Sequence, residues 1–344
     1  MRFRVRRLAS VQTRPHVARW RLDGSPTQEA AMSKSLKMLA AVSATAALFL
    51  LRAAVALADT DGITVHCAPL AFVGTNFLAC QDFHPTIQAA VNHAEAGETV
   101  LLGVWTFDEQ VTIDKPLTLE GEGTSLTSIK PLTVAANSSS LFSGAPIAAI
   151  LLVDGTTGVA VSDLTIDGSI AAFNACSPGY VGIFYRASSG AIQDTHVTHI
   201  HHPGASGCQA VLGIFVQSGN GGPGLNSNVT ILQSMIDDYG KNGITANEPG
   251  TFVTVSGNTV VGRGKTFSGD AAQNGVQIGF GARGLVSGNT ISMHDYDPAD
   301  FVACGLLFFQ AGGGLGRAKN NTFAMNEQNI CTGGVGPSSN SPFN

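Results

Sequence analysis

Short apolar runs recur along this chain at near-constant intervals, each led by a glycine. Gly182 opens GIFYR, Gly213 GIFVQ, Gly243 GITAN, Gly275 GVQIG and Gly305 GLLFF, at steps of 31, 30, 32 and 30 residues. A second series lies between them: VSDLTI from Val161, IQDTHV from Ile192, ILQSMI from Ile231, VSGNTV from Val255, VSGNTI from Val286 and AKNNTF from Ala318. Each hexad has an apolar or small first residue and an apolar sixth, with mostly small or polar positions between. Runs this short, rich in Val, Ile, Thr and Phe and bounded by Gly, Asn and Ser, read as strands joined by turns. Two phased series at about 30 residues predict a parallel β-solenoid, in which every coil buries its apolar side chains against the next. A helical solenoid of similar period needs long Ala/Leu/Glu/Lys segments, and only 12% of this chain is charged. From Thr99 to Cys331 there is room for roughly eight coils.

Two details sharpen the prediction. Asn258, Asn289 and Asn321 share the fourth hexad position, so stacking would let their amides hydrogen-bond from coil to coil at a turn. Pro85 to Ala94 carries Ile87, Ala90, Val91 and Ala94 at helical spacing, with Pro85 at a first helical position and Gly97 as a stop. This helix is expected to lid the first coil.

The front of the chain changes the charge picture. Residues 1–31 are Arg-rich without apolar periodicity and read as a leader outside the native protein; Met32, Lys34 and Lys37 then precede an Ala/Leu-rich run ending in Ala56-Leu57-Ala58. That pattern predicts an export signal over 32–58 cleaved after Ala58, and Arg52 within the run disfavours a permanent membrane span. Residues 59–98 then form an N-terminal segment with the capping helix, 99–332 the solenoid and 333–344 a loose tail. Ten of the 19 basic residues but only two of the 24 acidic ones precede residue 59, which leaves 9 against 22 and a net charge of −13. Such a surface repels nucleic acid, which is excluded as a partner.

All six cysteines follow residue 58, an even count that in an exported chain points to disulfides. Six cysteines allow 15 connectivities. Cys176 and Cys208 are 32 residues apart and Cys304 and Cys331 are 27 apart, each close to one coil, so pairing between neighbouring coils is geometrically sensible. Cys67 and Cys80 would staple the segment before the helix.

The run TIQAAVNHAEAGETVLL followed by FDEQVTIDKPLTLEGEG (Phe107 to Gly123) resembles the opening of pectin-lyase-like right-handed β-helix proteins. The later GI/GV runs and VSGNT hexads are similar to generic β-helix repeats of the NosD-like class. The resemblance spans nearly all of the chain after residue 58. It implies an all-β fold, a right-handed, single-stranded, three-sided parallel β-helix, and a general association with polysaccharides. It implies no particular activity, because one fold hosts many chemistries.

Candidate chemistry is therefore read from the residues. The Gly-His-Gly of polygalacturonases is missing. Partial matches to pectinesterase motifs, QAV at Gln209 to Val211 and DFVACG from Asp300, are 91 residues apart from Gln209 to Asp300, about three coils rather than one. A lyase or epimerase acting on acidic sugars needs a base and a cationic group for the sugar carboxylate. Asp237 and Asp238 form an adjacent pair, and Asp238, Asp270 and Asp300 each precede a repeat glycine by five residues. Stacked on one ridge about 5 Å apart, those three would hold a cation, calcium being the natural choice for hard oxygen ligands. Lys241, Arg263, Lys265 and Arg283 fall within 43 positions and could receive an acidic sugar. The catalytic candidates are thus Asp237, Asp238, Lys241, Asp270 and Arg283, against the simpler reading that all are solvated turn charges. His196, His199, His201 and His202 sit within seven residues; alternation puts His199 and His201 on one face, where they could share a metal, or the run is simply a polar turn. The stretch GNGGPG (Gly219 to Gly224) lacks the Lys-Ser/Thr and helix of a phosphate loop and reads as an insertion between coils.

The expectation is a secreted, extracellular or periplasmic monomer that binds or modifies polysaccharide. The rival is a non-catalytic, adhesin-like rod. A groove where Asp and basic side chains converge would favour the first, and a flat Thr/Ser/Asn face the second.

Overall fold

A computed structural model of the chain describes residues 64–69, 78–169, 175–204, 206–219, 226–311 and 316–333, with side chains from residue 84 onward. The segments expected to be a leader and an export signal, most of the expected tail and most of the GNGGPG stretch lie outside the described residues. The strands form three stacked sheets of ten, eight and nine strands, parallel throughout except at the N-terminal edge and in one short side pairing. The chain visits the sheets in turn, so each coil contributes one strand to each. This is the expected parallel β-helix.

Both repeats stack in register. The first hexad residues form one continuous file on the first sheet: Val161, Ile192, Ile231, Val255, Val286 and Ala318 are successive partners. The sixth residues form another on the second sheet: Ile166, Val197, Ile236, Val260, Ile291 and Phe323. Ile192 pairs with Ile231 despite the 39-residue step, the strands on either side of the longer connection being Val211–Gln217 and Ser227–Leu232. Up to Val286 and Ile291 both files belong to one core, with Phe323 partly buried against it and Ala318 exposed at the end; each fully buried Val or Ile contributes about 1.5–3 kcal/mol.

The repeat glycines form a third file, on the third sheet. A Cβ on Gly182 would lie 2.6 Å from the carbonyl oxygen of Gly213; on Gly213, 2.5 Å from that of Gly243; on Gly243, 2.8 Å from that of Gly275; and on Gly275, 2.5 Å from that of Gly305. Close approach between coils, rather than an unusual dihedral, selects glycine here.

The asparagine ladder also forms. Asn258 donates from N and Nδ2 to Asn289 Oδ1 at 2.9 and 3.0 Å, and Asn289 does the same to Asn321 Oδ1 at 3.0 and 2.9 Å. Below it, Ser234 N donates to Asn258 Oδ1 at 2.9 Å. Replacing Asn289 by alanine strands the buried donors of Asn258. The expected cost is about 1–3 kcal/mol, read as a fall of several degrees in Tm by calorimetry.

The cap differs slightly from expectation. The helix spans Ile87–His93, with Thr86 rather than Pro85 in the boundary role: its Oγ1 accepts from Ala89 N at 3.1 Å. Ile87, Ala90 and Val91 are buried against the first coil, and Glu109 accepts from the free N–H groups of Ile87 and Gln88 at 2.7 and 2.9 Å. Cys176–Cys208 and Cys304–Cys331 are disulfides between neighbouring coils. Cys67 stands opposite Cys80 in an antiparallel pair, with both side chains outside the described residues. No helix among the described residues is long and apolar enough to cross a membrane.

Candidate functional site

The second sheet is where polar side chains meet. Its strands Thr165–Asp167, His196–Thr198 and Met235–Asp237 are three residues long, whereas the next two, Thr259–Phe267 and Thr290–Asp297, run on to nine and eight. Where the short strands end, the chain turns at left-handed residues, His199 (φ 56°) and Asp238 (φ 47°). The longer strand beyond raises a wall at Gly262 and Arg263. The result is an open groove of about 550 Å³ lined by His196, Thr198, His199, Asp237, Asp238 and Arg263.

Within it the carboxylates and histidines pair. His196 Nε2 is 3.1 Å from Asp237 Oδ2 and His201 Nε2 is 3.1 Å from Asp238 Oδ2. His199 Nδ1 lies 3.0 Å from Asp167, and its Nε2 3.8 Å from Asp238. Arg263 Nε is 3.4 Å from Asp238 Oδ1, and Lys130 Nζ 3.2 Å from Asp167.

These contacts fix protons. His201 Nδ1 is 2.8 Å from the carbonyl oxygen of His202, which can only accept, while Nε2 faces a carboxylate. Two acceptors so placed favour hydrogen on both ring nitrogens, the imidazolium form. The hydrogen bond to Asp238 accordingly raises the His201 pKa, against burial, which lowers it. The same bond, working against burial, lowers the Asp238 pKa. Burial by itself would raise Asp237, but the hydrogen bonds from His196 and Thr198 outweigh it and leave that carboxyl low as well. Asp167 follows the same pattern, with burial opposed by Ser169, Lys130 and His199. His196 differs: its Nε2 faces Asp237, and its Nδ1 has no partner among the described residues.

The sign of the pH effect follows. A raised histidine pKa stabilises the fold fully below about pH 6.5, and the contribution fades as pH rises through the folded-state value. The lowered carboxylates stabilise above about pH 4, and that contribution fades as pH falls. The Tm difference between wild type and His201→Gln is therefore expected to be largest between these limits and to shrink towards pH 8. A difference that stays flat across that range would show that His201 carries no extra proton.

The structure brings together Asp237 and Asp238 of the candidate catalytic residues and separates the others from them. Lys241 is 1% exposed and its Nζ donates inward to the carbonyl of Ala272; burial lowers its pKa to about 7. Arg283 lies on the first sheet, beside Phe252. Asp270 accepts from the backbone N of Ser206 at 3.0 Å.

The expected carboxylate ridge does not form. Asp270 and Asp300 both lie near Tyr296, whose hydroxyl is raised by burial and then by their charges. Asp238 instead faces His201 and Arg263. The strand through Asp237 stops there, while those before Asp270 and Asp300 continue to Phe267 and Asp297, so equal spacing from the glycines does not give equal position. Among the described residues no three His, Cys, Asp or Glu side chains are grouped to hold a metal ion. The arrangement does not fit the calcium site expected on Asp238, Asp270 and Asp300, nor does it make a metal site of His199 and His201.

No protein-family profile and no curated protein sequence matches the chain. Among solved structures it is similar to the N-terminal fragment of gene product 12 of bacteriophage Phi29, at 16% identity and a TM-score of 0.48, over 72% of this chain and 41% of that one. It thus spans less than half of that fragment. Pectin methylesterase from Yersinia enterocolitica gives 12% and 0.41, over 66% and 71%. An alginate lyase from Paenibacillus gives 16% and 0.28, over 71% and 96%. Likenesses of this strength carry no argument about activity. The strand register carries the architecture: the chain is a parallel β-helix.

Proposed function

We propose that this is an exported, carbohydrate-directed protein that modifies a polysaccharide by general acid–base chemistry in the second-sheet groove. The observation that carries the reading is the convergence of two His–Asp pairs, His196–Asp237 and His201–Asp238, with Arg263 in one open groove. Imidazole–carboxylate pairs open to a substrate are what proton transfer requires.

For an acidic sugar, Arg263 faces the carboxylate of the bound residue. His196, oriented by Asp237, takes the proton beside that carboxylate through Nδ1. The His201–Asp238 pair returns a proton, either to the departing glycosidic oxygen, which cleaves the chain with a new unsaturated end, or to the opposite face of the same carbon, which inverts it. The two disulfides support an oxidising compartment.

The test is a polysaccharide panel scored for retention and for new chain ends or inverted sugars. The expected result is product from at least one uronate-containing polymer, lost in His196→Ala. Retention without product, unchanged in that variant, would leave a binding rod instead.

A further inference from the structure

A second depression lies on the same sheet. It measures about 230 Å³ and is lined by Thr124, Asp194, Thr195, His196, Gln233 and Met235. It shares His196 with the groove. The two lie at opposite ends of the same strands: Thr195 and Gln233 precede His196–Thr198 and Met235–Asp237, and His199 and Asp238 follow them. The line joining them therefore runs along the strand direction, across the helix axis. Three strand residues cover about 10 Å, a length that two adjoining sugar rings span.

The chemistry of the two ends differs. Met235 is 41% exposed, an apolar side chain standing open on the sheet's outer surface, where the ring face of a sugar can rest. Gln233 beside it is exposed and offers an amide. Asp194 has one side-chain contact among the described residues, the amide of Gln193 at 2.9 Å, and no cation beside it. Its carboxylate disfavours a second negative charge there. At the groove end, by contrast, every carboxylate is answered by a histidine, lysine or arginine.

We propose that the substrate lies across the second sheet and alternates in character. A uronate sits in the His/Asp groove and a neutral or N-acetylated amino sugar in the depression at Asp194, Gln233 and Met235, with His196 at their junction. The inference rests on the polysaccharide reading and narrows its substrate class.

Calorimetry with two hexasaccharides tests it, one alternating uronate with N-acetylhexosamine and one made of galacturonate alone. The wild type is expected to bind the alternating chain about tenfold more tightly. Gln233→Ala and Met235→Ala should erase that preference and leave galacturonate binding unchanged. Asp194→Asn should gain affinity for hexagalacturonate, an effect no folding defect can imitate. Equal binding of both chains by the wild type, or proportional loss of both in the two alanine variants, would overturn the proposal while leaving the polysaccharide reading in place. Binding of neither chain would bring down both.

Discussion

Asp238→Asn is expected to lower turnover of a uronate polymer by a factor of about 10²–10⁴, far beyond what the modest fall in Tm from losing the His201–Asp238 pair would cause. The carboxylate is the hub of the groove, lying 3.1 Å from His201, 3.8 Å from His199 and 3.4 Å from Arg263. An uncharged amide of the same shape keeps the space filled. It no longer holds the second proton on His201, so that ring titrates lower, and it releases Arg263. A histidine titration by NMR separates this from a folding defect: the His201 resonance should shift at a lower pH in Asp238→Asn while the pattern of backbone resonances stays. Unchanged turnover would remove Asp238 from the chemistry and leave His196–Asp237 as the working pair.

Gly213→Ala is expected to prevent the native fold from forming. The added carbon would sit 2.5 Å from the carbonyl oxygen of Gly243 and 2.9 Å from the Ile236 side chain. Neither can yield cheaply, because the first is backbone held in the ladder between coils and the second is core. Overpacking a tight core costs about 1–3 kcal/mol, and here the contact is repeated by register, so a shift at one coil displaces the next. The expected outcome is loss of soluble, protease-resistant protein. Gly207→Ala is the control: its new carbon meets only the carbonyl oxygen of Gly269, at 3.6 Å, and stability should stay within about 0.5 kcal/mol. If both variants fold equally well, the glycine file has no steric role.

The solenoid is legible in the sequence because in this architecture sequence interval and spatial stacking are the same quantity. The hexads from Val161 to Ala318 and the glycines from Gly182 to Gly305 recur at the coil length and lie in files. The amide ladder at Asn258, Asn289 and Asn321 follows from the same register.

The groove was half legible. Asp237-Asp238 and the histidine run each stand out, but they are about 40 residues apart across the irregular coil that carries the insertion. The hexads link the two. Val197 and Ile236 are the sixth residues of successive hexads, and counting two further from each sets His199 opposite Asp238. Asp270 and Asp300 are hard to place from sequence for the converse reason. Distances counted back from the glycines hold only where strands on the second sheet are equally long, and these are not. Lys241 misleads because composition cannot tell an interior lysine from a surface one; its side chain is buried and donates to the carbonyl of Ala272.

The step in strand length has one more consequence. Everything the groove needs comes from four consecutive rungs, from Thr165–Asp167 to Thr259–Phe267, with Lys130 reaching up from below. Rungs outside that block bear on it only through their neighbours. The block is a portable cassette: a coil added or deleted beyond it should change the length of the rod and its melting behaviour, and leave the reacting groups where they are.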